Sequence, residues 1–555
     1  MSERSYRSYK RDLVKINNKK LIDGVLLDYE DAENEIVDYL SQKKMIELDL
    51  SNKSDETKTK EYLKDKKREI RQHVIDCIYQ RNISIRGYQD DKIDDFIDEM
   101  VAEYAGYSIL EEAFSDESID DIYCIDWQTI FVEKNGENVR YWKTFRDKKH
   151  YATIVERFMR ETGKEINMGD SKIVDFELYG NRGCAISPAI SPRDYSLTLR
   201  KHKEEHIILD QILEGGIMNE EMSEFFGMLI DGEMNIIYAG LTGSGKTTTI
   251  RALIDYYVSR NGKRMLVCED TQELFPKNEH TVELVSFKSD KSAMAVPLHK
   301  LIITALRLKP KYIVVGEVRG EEAQAAVEAM ETGHSTIFTM HGGTPLNIIN
   351  RLVTKYLMAM PSLGIDVVER IIGASVDYIA IQDHIPDIGR ICSGIYEISY
   401  DFDTRRTAIK TIFEYDFEIN DFMLLNRISH EKKHKLLRRG IKRDYLKKWV
   451  TLVEPDEDDQ EKIKECEKLD KQFIKEFNDN YLKEKPARLE MYAKRKKERE
   501  EAYYTKRIEE EKNVRFNQNQ MNKAKIIEEV KARELEDMLR KTELIKQQTT
   551  NKQES

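Results

Sequence analysis

The segment Gly240-Leu-Thr-Gly-Ser-Gly-Lys-Thr247 constrains this chain more than any other. Its closely spaced glycines let a loop curl until backbone N–H groups converge on an anion, and a lysine followed by a hydroxyl residue meets phosphate oxygens and Mg2+. Such a loop needs a buried strand before it and a helix after it. Asn235-Ile-Ile-Tyr-Ala239 is a short apolar run, and Ile250, Leu253, Ile254 and Tyr257 recur at helical spacing. The helix would offer its positive end to the same anion. The segment predicts a nucleotide site for ATP with Mg2+, bound by Gly240, Leu241, Thr242, Gly243, Ser244, Gly245, Lys246, Thr247 and Thr248. Lys246 is expected on the β- and γ-phosphates and Thr247 on the metal.

Two further strands follow the helix: Arg264-Met-Leu-Val-Cys268 and Tyr312-Ile-Val-Val-Gly316. Strands alternating with helices predict a parallel, doubly wound α/β sheet. Each strand ends on carboxylates, Glu269-Asp-Thr-Gln-Glu273 after the first and Glu317 after the second. Ligands bind outside the carboxyl ends of such a sheet. Glu317 is therefore expected to orient the attacking water, with Glu269 near the γ-phosphate; both could meet Mg2+ through water. A fourth segment, Thr332-Gly-His334-Ser-Thr-Ile-Phe-Thr-Met-His341, places His334 at the start of a strand. His334 could sense a γ-phosphate, although a lone histidine also reads as a packed core or surface residue.

In this order and spacing the four segments resemble the secretion-ATPase superfamily, the hexameric motors of conjugation, type II and type IV secretion, type IV pili and tight-adherence pili. Gly240–Thr247 is similar to its Walker A loop, Glu269–Glu273 to its Asp box, Gly316-Glu-Val-Arg-Gly320 to its Walker B, and 332–341 to its His box. Val174-Asp175, Gly180-Asn-Arg182 and Ser196-Leu-Thr-Leu-Arg-Lys201 resemble segments preceding the ATPase core in the tight-adherence and conjugation branch. The resemblance implies a RecA-like P-loop ATPase core, a homo-hexamer and a nucleotide between two domains of one subunit. It also implies that Arg200, and Arg182 beside it, reach the nucleotide. The catalytic set is then Glu317, Glu269, Lys246, Arg200 and His334. The partners would be an inner-membrane platform and secretion or pilus components.

Composition sets the surroundings of this core. The 555 residues carry 90 basic and 102 acidic side chains, a formal net charge of −12. That balance argues against direct nucleic-acid binding and so against a RecA-like DNA translocase. A third reading, a non-motor nucleotide-binding scaffold, conflicts with Lys246, Thr247, Glu269 and Glu317 all being present. The six cysteines show no Cys-x-x-Cys pair, which suits thiols in a reducing compartment. No apolar run approaches the ~20 residues of a spanning helix. A cytoplasmic chain, peripheral at the inner face of the cell membrane through its partners, is expected.

Composition also divides the chain. The expected order is a mobile polar arm over 1–65, a helical segment over 66–115 and a small α+β N-terminal domain over 116–205. A linker and helix over 206–233, the ATPase domain over 234–400 and a C-terminal subdomain over 401–453 follow. A charged helical or disordered tail over 454–555 ends it. His202-Lys-Glu-Glu-His206 fits the pattern of inverted zinc peptidases, but no third ligand can be found for it, and a solvated linker is the preferred reading.

Overall fold

The computed structural model describes residues 25–43, 56–88, 92–134, 137–166, 172–202, 207–287, 295–386, 388–454, 457–499, 501–502 and 505. They form two compact units, one over 1–204 with 504–555 and one over 205–503.

The first unit begins with β1 (Val25–Leu27), α1 (Tyr29–Gln42), α2 (Glu56–Gln80), β2 (Ile83–Ile85) and α3 (Ile93–Ala105). Strands β1 and β2 pair in parallel. Ala32, Ile36, Tyr39 and Leu40 of α1 pack into one core with Ile70, Val74 and Cys77 of α2 and Phe96, Ile97 and Met100 of α3. The arm expected over 1–65, with a short helix near Asp31–Leu40, is thus folded from Val25 to Gln42. The residues that pack recur at i, i+4, i+7 and i+8, a stripe one helix face wide.

After the short helix α4 (Glu111–Ser115) come β3 (Ile119–Cys124), β4 (Ile130–Lys134), β5 (Glu137–Arg140), α5 (Lys148–Glu161), β6 (Ile173–Leu178), β7 (Asn181–Ile186) and β8 (Ser196–Arg200). They build a six-stranded sheet in the order β5-β4-β3-β8-β7-β6. Tyr151, Ile154, Val155 and Phe158 of α5 cover its core face. A sheet with one helix on its core face is an α+β arrangement.

The second unit opens with α6 (Leu209–Glu214) and α7 (Glu220–Asp231) and continues through β9 (Ile236–Gly240), α8 (Lys246–Asn261), β10 (Met265–Glu269) and β11 (Thr281–Val285). Then follow α9 (Leu298–Arg307), β12 (Tyr312–Val315), α10 (Glu322–Glu331), β13 (Ser335–His341), α11 (Pro345–Ala359) and α12 (Ile365–Ser375). The strands β14 (Tyr378–Ile385), β15 (Gly389–Asp401), β16 (Arg406–Asp416) and β17 (Asp421–Leu424) precede α13 (His430–Arg438) and α14 (Arg443–Leu446). All nine strands form one sheet, ordered β11-β10-β12-β13-β9-β14-β15-β16-β17. It is parallel from β11 to β14 and antiparallel beyond.

Strands buried on both faces read as unbroken apolar runs. Ile236 and Tyr238 of β9 and Met265 and Val267 of β10 face the core that includes α7 and α8. Ile237 and Ala239, with Leu266 and Cys268, face the core under α9 to α12. The boundary expected at 400 falls at the end of β15, yet β16 pairs with β15 over eight registered positions from Gly394 to Asp401 and extends the same sheet.

Helix α15, residues 460–499, packs on this unit. Phe473, Ile474, Phe477 and Tyr492 lie against the core that holds Trp449. Asn478 accepts from the Leu424 N–H at 3.0 Å and donates to the Leu424 carbonyl at 2.9 Å, so it closes the last strand of the sheet where another chain could add. Arg499 clasps Glu214 through two contacts of 2.7 and 2.6 Å. Of the charged helical or disordered tail expected from 454, residues 460–499 are a helix, docked on this unit where a solvated one was expected. Its anchors are a few aromatic and polar side chains instead of a continuous apolar stripe, which is why periodicity missed them. Residues 506–555 lie outside the described residues.

Candidate nucleotide site

Strand β9 delivers Gly240 to the carboxyl edge of the sheet with φ +157°, where a side chain would strike the Gln382 carbonyl at 2.0 Å. Gly243 and Gly245 take φ of +78° and +88°, conformations that glycine adopts without strain. Helix α8 starts at once on Lys246. The Lys246 ammonium donates to the Leu241 carbonyl at 2.9 Å and stands 3.4 Å from His341 Nδ1. Burial lowers its pKa, and Glu317 opposes that shift. Thr247 and Thr248 are half-buried on the first turn of the same helix.

Glu317 follows β12 after Gly316 and faces the same edge. His341 Nε2 approaches Glu317 Oε1 to 2.7 Å, and Arg319 donates to Oε2. That contact is not an aligned hydrogen bond, and Oε1 is buried without a hydrogen-bond partner. Oε1 thus meets the His341 ring without an aligned hydrogen bond and keeps lone-pair capacity to accept from a water. Lys246, His341, Glu317 and Arg319 thus form one chain of neighbouring polar groups.

His341 was passed over in the sequence in favour of His334. The structure places His334 immediately before Ser335, at the amino end of β13, where Thr332 Oγ1 lies 3.1 Å from its Nδ1. His341 ends that strand, opposite Gly240. Seven residues at about 3.3 Å each put the two histidines roughly 20 Å apart. His334 therefore does not join Lys246 and Glu317. The signal was available: in a parallel sheet only the last residue of the strand reaches the ligand edge. Burial also lowers the pKa of His341, with Lys246 adding to the effect.

Glu269 closes β10 with 2% of its surface exposed. It accepts from the backbone N–H of Glu273 at 3.1 Å. Gly316 stands beside it, and a Cβ there would come within 2.9 Å of Glu269 Cγ. Burial pushes the Glu269 carboxyl up to about 8, against the backbone donors. Burial thus favours its protonated form. The unfolded chain has an ordinary carboxyl near 4.3. Between those values the folded protein holds a proton that the unfolded chain has released, so stability falls as pH rises through that window. Glu269→Gln keeps the neutral shape and should flatten that decline. Thermal midpoints of wild type and variant from pH 5 to 9 without nucleotide check it, and parallel curves would mean that Glu269 is ionised throughout.

Arg200 and Arg182 lie in the first unit as cross-strand partners on β8 and β7. Arg200 Nε donates to Asp121 Oδ1 at 2.9 Å, and its side chain is about half exposed. Arg182 is opposed on its other side by Glu177. Of the zinc-peptidase pattern, 203–206 lie outside the described residues, and no group of three or more metal-binding side chains occurs among the described ones. All six cysteines are free thiols. No helix among the described residues is long and apolar enough to cross a membrane.

Residues 186–431 match the family model for type II/IV secretion system proteins. The chain is similar to the uncharacterized protein MJ0900 of Methanocaldococcus jannaschii, 32% identical over 211 residues, which cover 38% of either chain. A probable conjugal transfer protein TrbB of Sinorhizobium fredii is 32% identical over 219 residues, 37% of this chain and 64% of that one. The match thus spans about two fifths to two thirds of the length of these curated relatives. Among solved structures, the VirB11 ATPase of the Brucella suis type IV secretion system aligns at 21% identity and a TM-score of 0.29, over 52% of this chain and 92% of that one. The ATPase DotB of Legionella pneumophila aligns at 18% identity and a TM-score of 0.38, over 60% and 83%. The four motifs lie inside the matched segment, and over that segment the chain is similar to type II/IV secretion system proteins.

Proposed function

We propose that the chain is an ATP-hydrolysing motor with a RecA-like core. It would work as a homo-hexameric ring that powers protein secretion, pilus assembly or conjugative transfer, docked by partners on the inner face of a bacterial-type cell membrane. The observation that carries this reading is the convergence of Lys246, His341, Glu317 and Arg319 at the Gly240–Lys246 loop. The named resemblance to a conjugal transfer protein supports the transport role.

These residues fit ATP with Mg2+. The loop is open at Gly243, and Lys246 can exchange a loop carbonyl for phosphate oxygens. Mg2+, when bound with ATP, would offset charge on the phosphate oxygens. Lys246 would bind phosphate, the Thr247 hydroxyl would hold the metal, and Glu317 would orient the attacking water and accept its proton. Arg319 and His341 hold the Glu317 carboxylate in place.

The test is ATP turnover by the full chain, with its mass measured with and without nucleotide. Mg2+-dependent hydrolysis by a hexamer supports the motor. A monomer that turns over nothing, even with membranes added, overturns it.

A further inference from the structure

Two side chains outside every motif grip the phosphate loop from behind. Gln382 is fully buried on β14, the strand beside β9, and its backbone pairs with Gly240. Its Nε2 donates to the Ser244 carbonyl, and its Oε1 accepts the Tyr238 hydroxyl at 2.7 Å. Tyr238 is itself fully buried on β9. The Ser244 carbonyl can only accept, so it fixes which way round the amide lies: NH2 to the loop, and oxygen to the Tyr238 hydroxyl, which can donate. One strand further out, Arg390 Nε donates to the Gly243 carbonyl at 3.1 Å.

A trans peptide plane carries its C=O and the following N–H in opposite directions. Holding the Ser244 carbonyl on the β14 side turns the Gly245 N–H away from β14. Two consecutive carbonyls, those of Gly243 and Ser244, are drawn back in this way. A nest for phosphate needs the reverse side of those peptides, the N–H groups, to face the ligand.

We propose that Gln382, aimed by Tyr238, is a positioning residue that presets the phosphate loop for nucleotide, with Arg390 as its outer brace. This rests on the reading of the loop as a nucleotide site. The loop starts at Gly240 with φ +157° and passes two left-handed glycines, so it has many alternatives to sample. A buried amide that satisfies one carbonyl removes most of them before nucleotide arrives. Its worth is then paid out in affinity, because ordering on binding is avoided. The same contact ties the loop to the antiparallel hairpin β14–β15, which also carries Arg390.

The experiment compares MgADP binding by calorimetry in the full chain and in Gln382→Met, Tyr238→Phe, Arg390→Met and Lys246→Ala, with unfolding midpoints taken without nucleotide. Hydrogen exchange is followed in the peptide covering 241–249. Gln382→Met should weaken MgADP about tenfold, and Tyr238→Phe by several-fold, the scale of one buried hydrogen bond. Exchange should quicken in 241–249 and stay unchanged in β10 and β13. Tyr238→Phe removes a single oxygen and serves if Gln382→Met does not fold. A merely structural role would lower the midpoints and leave affinity and local exchange as they are, which overturns the proposal. If Lys246→Ala abolishes binding while the Gln382 and Tyr238 variants bind like wild type, the inference falls and the nucleotide site stands. If wild type binds no MgADP, both fall.

Discussion

Glu317→Gln should cost the protein about 10²- to 10³-fold in ATP turnover while MgATP still binds. The expected size is that of a single group acting on the transition state as base or preorganised charge. The amide matches the carboxylate in shape, so the space after Gly316 stays filled. What is lost is the negative charge and the basicity of Oε1, the buried atom without a hydrogen-bond partner. Binding should survive because the loop contacts of Lys246, Gln382 and Arg390 do not involve Glu317. The readouts are the hydrolysis rate and the dissociation constant of a nonhydrolysable ATP analogue, measured on the same preparations. A variant with wild-type turnover would reduce Glu317 to a structural acceptor for Arg319 and His341.

That prediction uses a residue legible in the sequence together with one that was not. Glu317 could be placed because Tyr312-Ile-Val-Val is a buried parallel strand, and its end is marked by the glycine and the acid. Lys246 and Glu269 follow from the same logic, since loop, strand end and helix start are local features. Residues that act through pairing register are different. His341 depends on the length and direction of β13, and Gln382 on β14 lying next to β9. Both are set by contacts between segments more than 90 residues apart. Neither local spacing nor composition carries that information. The antiparallel extension β15–β17 and the docked helix α15 were hidden for another reason. Their exposed faces are rich in charge, so the apolar signal is diluted although Ile395, Ile398, Ile412 and Phe413 are fully buried. In the first unit, the chemistry of Arg200 was inferred from resemblance, while its contact with Asp121 follows from the pairing of β3 with β8.

Asp377→Asn should destabilise the second unit by about 3–5 kcal/mol, the range for breaking a buried ion pair from one side. Asp377 is 1% exposed at the entry to β14. It accepts from Lys432 Nζ at 3.0 Å, from Lys435 Nζ, and from the Asn235 N–H at 2.9 Å. Asn235 in turn bonds the Ser375 carbonyl and the Thr336 N–H. One carboxylate thereby joins α13 to the amino ends of β9, β13 and β14. Burial alone would raise its pKa, but Lys432 and Lys435 outweigh burial and hold it below the usual carboxylate range. Its stabilisation is therefore complete above the unfolded carboxyl range and lost as pH falls through the folded value. In Asp377→Asn the buried Lys432 ammonium loses its counterion. Adding Lys432→Met removes that stranded charge, so the double variant should recover much of the loss, as apolar replacement of buried pairs commonly does. Urea unfolding followed through Trp449 fluorescence, for both single variants and the double, measures the coupling. Additive losses, or a single Asp377→Asn effect below about 1 kcal/mol, would show that the pair is solvated in solution and that α13 is held by its apolar contacts alone.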